Sequence, residues 1–167
     1  MTMAQQSSVA HRAFAIAPER NHEVSSPTAS SSGESPRWRL LIADDDAAVR
    51  AFLSLALQTQ FDVVGLAADG EEAVAIAASV RPDAALIDVQ MPKGGGLHAL
   101  KGILGTSPET AVVMLSADEA ELSVRELLAA GAIAYCRKGT PPADLARSLA
   151  ESIMVRLSER GNSPALA

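Results

Sequence analysis

Arg39-Leu-Leu-Ile-Ala-Asp-Asp-Asp46 is an apolar run of strand length that ends abruptly in acids, and its reading decides the fold. A short continuous apolar stretch bounded by polar residues is the signature of a parallel strand buried on both faces by helices. The pattern recurs downstream. Ala84-Ala-Leu-Ile87 runs into Asp88, Val112-Val-Met-Leu115 runs into Ser116, and Ile133-Ala-Tyr-Cys136 is followed by Lys138. In doubly wound sheets the carboxyl ends of such strands meet at one crevice. Three carboxylates (Asp44, Asp45, Asp88), the Ser116 hydroxyl and the Lys138 ammonium are therefore expected to converge.

The segments between these runs carry the helical period. Val49, Phe52, Leu53, Ala56 and Leu57 fall on one face of a first helix, with Asp46 placed to cap it. Phe61-Asp-Val-Val-Gly-Leu66 reads as the second strand, and Ala73, Ile76, Ala77 and Val80 form a second stripe that Pro82 terminates. Leu97, Leu100, Ile103 and Leu104 mark the third helix. Leu122, Val124, Leu127 and Leu128 mark a fourth, stopped near Gly131. Thr140-Pro141 reads as a cap followed by proline at the first position of a fifth, with Leu145, Leu149, Ile153 and Leu157 spaced by four. Strands alternating with helices predict an α/β, flavodoxin-like, doubly wound (βα)5 fold whose five-stranded parallel sheet has the order 2-1-3-4-5. The crevice then lies between strands one and three, at Asp44, Asp45 and Asp88.

Composition bounds the rest. The chain has 167 residues, enough for one core, and a folded part of about 120–130 residues would bury roughly two thirds of its unfolded surface. Residues 1–36 end in Ser25-Ser-Pro-Thr-Ala-Ser-Ser-Ser-Gly-Glu-Ser-Pro36 and are expected to form a disordered tail, in which His11 and His22 are solvated. The folded domain is placed at 38–157 and a short C-terminal tail at 158–167, leaving no space for a separate effector domain there. Twenty acidic against 14 basic residues give a net charge of −6, the wrong sign for a direct nucleic-acid partner. The single Cys136 has no internal disulfide partner and fits a small buried strand residue. No stretch has the length of a membrane span or the layout of a secretory signal, so a cytoplasmic protein is expected.

Carboxylates crowded into one crevice repel each other by roughly 1–4 kcal/mol per pair at about 4 Å, which a divalent cation relieves. Mg²⁺ is the expected one, being commonly held by one or two carboxylates plus phosphate oxygens. Asp46 is better read as a helix cap. Asp88 is the best placed nucleophile toward phosphorus, with Lys138 and Ser116 positioned to neutralise and hydrogen-bond phosphoryl oxygens. His98 reads as a surface residue, and Trp38 as a shield for the sheet edge.

Taken together, Asp44-Asp45, Asp88-Val-Gln-Met-Pro92 with Gly96 and Leu97, Ser116-Ala117, and Tyr135 three residues before Lys138 resemble the receiver domains of two-component response regulators. The resemblance covers about residues 38–157. It implies that Asp88 takes a phosphoryl group from a phosphohistidine on a sensor histidine kinase or phosphotransfer protein. It also implies that Asp45, Asp88 and the backbone carbonyl of Gln90 bind Mg²⁺ directly, with Asp44 acting largely through water. Ser116 and Tyr135 would be switch residues, remodelling the face made by helix four, strand five and helix five, where a downstream partner or a second copy docks. Gln90 and Asp118 lie where the family tunes dephosphorylation. Two departures stand out. Gly94-Gly95 replace a bulky apolar residue and an Asp or Asn, which predicts a mobile Lys93–Gly96 loop. Gly139 stands where many members have a proline.

The leading expectation is a stand-alone receiver that acts through protein contacts and is not an enzyme beyond its own phosphoryl chemistry. An interaction module that signals without phosphorylation is the alternative, and its partner binding would ignore Asp88→Asn and Mg²⁺. A Mg²⁺-dependent aspartyl phosphatase is disfavoured, because Gln90 occupies the place where that chemistry uses a second acid.

Overall fold

The computed structural model describes residues 37–117 and 124–161. The expectations for the 1–36 tail, Asp118, Leu122 and residues 162–167 lie outside the described residues. Within them, five strands alternate with five helices: β1 Trp38–Ala43, α1 Ala47–Leu57, β2 Phe61–Ala67, α2 Gly70–Val80, β3 Ala84–Asp88, α3 Gly95–Thr106, β4 Ala111–Ser116, α4 Val124–Ala129, β5 Ala134–Arg137 and α5 Pro142–Gly161. All strand pairs are parallel and the order is β2-β1-β3-β4-β5, as expected. The last helix continues four residues past position 157, the end assigned from its leucine spacing.

Two apolar layers hold the sheet, and the two-residue alternation of each strand feeds them in turn. Leu41, Ala43, Ala85, Ile87, Val112 and Met114 pack with Ala73, Ala77, Ala99, Leu100 and Ile103 of α2 and α3. Leu40, Ile42, Leu86, Val113 and Leu115 pack on the opposite face with Leu53 and Leu57 of α1 and Leu145, Leu149 and Ile153 of α5. Trp38 sits beside this second layer, its ring 6.4 Å from that of Phe61. Since β1 lies between β2 and β3, Trp38 is not on an edge strand. Three residues expected on buried helix faces are instead exposed, Phe52 at 57%, Leu128 at 45% and Leu157 at 45%.

Helix boundaries follow local chemistry. The Asp46 side chain accepts from Ala48 N–H at 2.7 Å and so caps α1 as expected. For α2, Asp69 accepts from Glu72 N–H at 2.9 Å while the Glu72 carboxylate accepts from Ala68 N–H at 2.7 Å, a reciprocal cap. At α5 the structure corrects the sequence reading: Pro142, not Pro141, takes the first helical position, and the Thr140 hydroxyl donates to Arg137 O at 2.7 Å. The Pro141 carbonyl then accepts the first helical bonds, from Asp144 and Leu145 N–H.

Register brings the strand ends level. Ala43 pairs with Ile87 and with Ala67, Asp88 with Leu115, and Ser116 with Arg137. Asp44, Asp88, Ser116 and Lys138 therefore leave the sheet at one edge.

Candidate functional site

Each acid is placed by backbone bonds at its own strand end. Asp44 N–H donates to Ala67 O at 3.1 Å, extending the β1–β2 ladder by one residue, and Asp44 Oδ1 accepts from Asp46 N–H at 2.9 Å. Arg50, one turn into α1, donates to the Asp44 carbonyl at 2.6 Å. Asp88 Oδ1 accepts from Gln90 N–H at 3.2 Å, and Val89 N–H ties the following residue to Leu115 O at 2.8 Å. Both carboxylates are almost fully buried, whereas Asp45 is exposed at the mouth. Gly96 lets the chain return closely behind the site: a Cβ there would collide with the Asp88 carbonyl and come within 2.7 Å of Val89 Cα.

Lys138 binds the two buried acids together. Its Nζ lies 2.8 Å from Asp88 Oδ2 and 2.9 Å from Asp44 Oδ2, and its backbone N–H donates to Ser116 O at 2.8 Å. Gly139, with φ +91, turns the chain away immediately afterwards. Burial pushes the Asp88 carboxyl above the usual carboxylate range, further than the Lys138 ammonium pulls it down, and the charge of Asp44 adds to the upward push. Burial disfavours the Lys138 ammonium, but its hydrogen bonds to Asp88 and Asp44 outweigh that cost and raise its pKa.

Carboxylate oxygens of Asp44, Asp45 and Asp88 lie within 4.8 Å of one another. Among the described residues, three carboxylates against one ammonium leave two negative charges, the complement of a divalent cation, and an all-oxygen donor set suits Mg²⁺. The residues present thus fit the ion.

Of the remaining residues singled out from the sequence, Ser116 is buried at the end of β4, and Gln90 is exposed with its amide on Asp88. Tyr135 is turned inward: it packs against the α2/α3 layer, and its hydroxyl is buried without a hydrogen-bond partner among the described residues. His98 is exposed on α3, as expected. Two features escaped sequence reasoning. Arg50 carries no local signal for its bond to Asp44. Lys93, in the glycine-rich loop, forms a 2.9 Å ion pair with the α2 cap Asp69, although Asp69-x-x-Glu72 could have been recognised as a capping pattern.

Comparison with known proteins places this geometry. Residues 40–150 match the response regulator receiver domain family. The chain is 38% identical over 109 residues to YxjL of Bacillus subtilis, described as an uncharacterized transcriptional regulatory protein, covering 64% of this chain and 50% of that one. It is 35% identical over 123 residues to the transcriptional regulatory protein PdtaR of Mycobacterium tuberculosis, covering 73% and 59%. This chain therefore spans about half the length of these relatives. Among solved structures, the response regulator domain of Thermotoga maritima CheB superposes with a TM-score of 0.62 at 31% identity, over 73% of this chain and 97% of that one. A CheY-like receiver domain protein from Methanospirillum hungatei gives a TM-score of 0.67 at 28% identity, over 75% and 99%. The fold is that of a two-component receiver domain. The chain belongs to the response regulator receiver family.

Proposed function

We propose that this chain is a phosphorylation switch in which Asp88 is the acceptor. The observation that carries the reading is the Lys138 ammonium held 2.8 Å from a buried Asp88 carboxylate at the end of β3, with Asp44 and Asp45 beside it. One Asp88 oxygen attacks the phosphorus of a phosphohistidine on a sensor kinase or phosphotransfer protein. The phosphorus–nitrogen bond breaks, its electron pair returns to the imidazole, which takes up a proton, and an acyl phosphate forms on Asp88. Lys138 then faces both the acyl phosphate and Asp44, exchanging part of its carboxylate contact for a phosphoryl oxygen. Asp45, Asp88 and the Gln90 backbone carbonyl would hold Mg²⁺, with Asp44 acting through water, and the bound ion would supply positive charge against the phosphoryl oxygens.

The output is a change in protein contacts. Ser116 and Tyr135 sit on adjacent strands, with Met114 paired to Tyr135 and Ser116 paired to Arg137. A Ser116 hydroxyl drawn toward the phosphoryl group repacks the site occupied by the Tyr135 ring, and the α4–β5–α5 face transmits the change to a downstream protein or a second copy. The Tyr135 hydroxyl favours this reading, because a buried hydroxyl with no partner among the described residues gains when it moves to one.

Intact mass after incubation with Mg²⁺ and acetyl phosphate tests the acceptor. Wild type is expected to gain one phosphoryl group, stable in acid and labile in base, that Asp88→Asn does not gain. Absence of both the adduct and Mg²⁺ binding overturns the reading and leaves a phosphorylation-independent interaction module.

A further inference from the structure

The sequence predicts a loose loop at Lys93-Gly-Gly-Gly96, yet the structure ties it to the N-terminus of α2. Lys93, Gly94 and Gly95 have φ of +54, +93 and +69 in succession. For lysine this left-handed conformation is strained, and it persists only where surrounding contacts hold it. Those contacts converge on the β2–α2 turn. Pro92 O accepts from Gly70 N–H at 3.2 Å, and Lys93 Nζ lies 2.9 Å from Asp69 Oδ2. Gly70 admits the close approach, since a Cβ there would stand 2.8 Å from Lys93 O and 2.9 Å from Gly95 O. The Asp69 side chain is only 12% exposed and is already oriented by its cap to Glu72 N–H. Each charge moves the other in the direction that keeps both ionised: Asp69 is lowered by its cap bond and by Lys93, and Lys93 is raised by Asp69.

The end of β2, directly before the turn that receives this loop, borders the other side of the acidic crevice, because Ala67 O accepts from Asp44 N–H. The end of β2 and the turn after it therefore span from Asp44 on one side to the loop carrying Gln90 on the other. We infer that Lys93 and Asp69 are positioning residues, a clasp that holds the β3–α3 loop against α2 and so fixes the Gln90 carbonyl at the cation site. The inference rests on the receiver reading above, which makes that carbonyl a ligand. An exposed ion pair is weak by itself. Here it acts on three glycines whose freedom would otherwise spread the loop over many conformations.

The test compares wild type with Lys93→Met, Asp69→Asn, the double variant and Lys93→Arg. Mg²⁺ affinity is measured by calorimetry, and exchange of the Gly70 and Gly96 amide protons by NMR. Each charge-removing single variant is expected to weaken Mg²⁺ binding and speed exchange at both amides by about two- to fivefold, the range open to a single ion pair. The double variant is expected to be no worse than either single one, and Lys93→Arg to restore both quantities. Unchanged Mg²⁺ affinity in Lys93→Met and Asp69→Asn overturns the positioning role, even where exchange quickens, because the clasp is then structural only. Wild type that binds no Mg²⁺ removes the cation site on which this inference rests, and the inference with it, an outcome distinct from the first.

Discussion

Asp88 is held in conflict with its surroundings, since burial favours its neutral form while the proposed acceptor role needs the anion. The consequence is a definite pH dependence. Its native pKa lies above the ordinary 3.8, so the folded state binds more protons than the unfolded chain as pH rises from that value. Stability from this group is greatest while it is protonated and is lost as pH rises through its native pKa. Asp88→Asn is therefore expected to raise stability by about 1 kcal/mol at neutral pH, with the gain shrinking toward pH 4. Thermal unfolding of both proteins between pH 4 and 8 checks this, and a variant less stable than wild type at pH 7 contradicts it. The gathering of Asp44, Asp45, Asp88 and Lys138 at one end of the sheet was legible because each follows an apolar run. The bridging of Asp44 and Asp88 by one ammonium was not, because it depends on the loop after β5 folding back over the crevice.

At the scale of elements, the strands and helices follow from patterning, while their ends follow from caps. Asp46 was readable as a cap because it directly precedes the helical period. Pro141 and Pro142 are adjacent and chemically alike, so only the backbone shows which one begins α5. Phe52 and Leu157 keep the helical spacing yet stay exposed. Periodicity defines an apolar stripe about 100° wide, and packing decides how much of it is covered. The β3–α3 junction is the tightest of these elements, and Gly96→Ala is expected to cost about 2–3 kcal/mol through overpacking against the Asp88 carbonyl. Because that clash displaces the end of β3 that carries Asp88, the proposed acceptor, the variant is also expected to lose phosphoryl uptake more than its stability loss explains. Denaturant unfolding alongside intact-mass phosphorylation reads both quantities on the same sample.

Across the whole molecule, the acidic cluster of Asp44, Asp45 and Asp88 is expected to couple cation binding to folding. A ligand that binds only the native state stabilises it by about 2.7 kcal/mol at a concentration one hundred times its Kd. Mg²⁺ is expected to raise the unfolding temperature of wild type and to have no such effect on Asp45→Asn, which thermal scans with and without Mg²⁺ would show. The sequence by itself determined the fold class, the element order and the set of acidic, hydroxyl and ammonium side chains, because burial on both faces of a parallel strand leaves a readable apolar run and its polar end. Tertiary structure alone decided which of these groups touch. The salt bridges of Lys138, the inward turn of Tyr135, the bond from Arg50 to Asp44 and the clasp of Lys93 on Asp69 join residues whose separation along the chain carries no local signal. Such contacts depend on sheet register and loop conformation, which many weak interactions set together and no short stretch of sequence specifies alone.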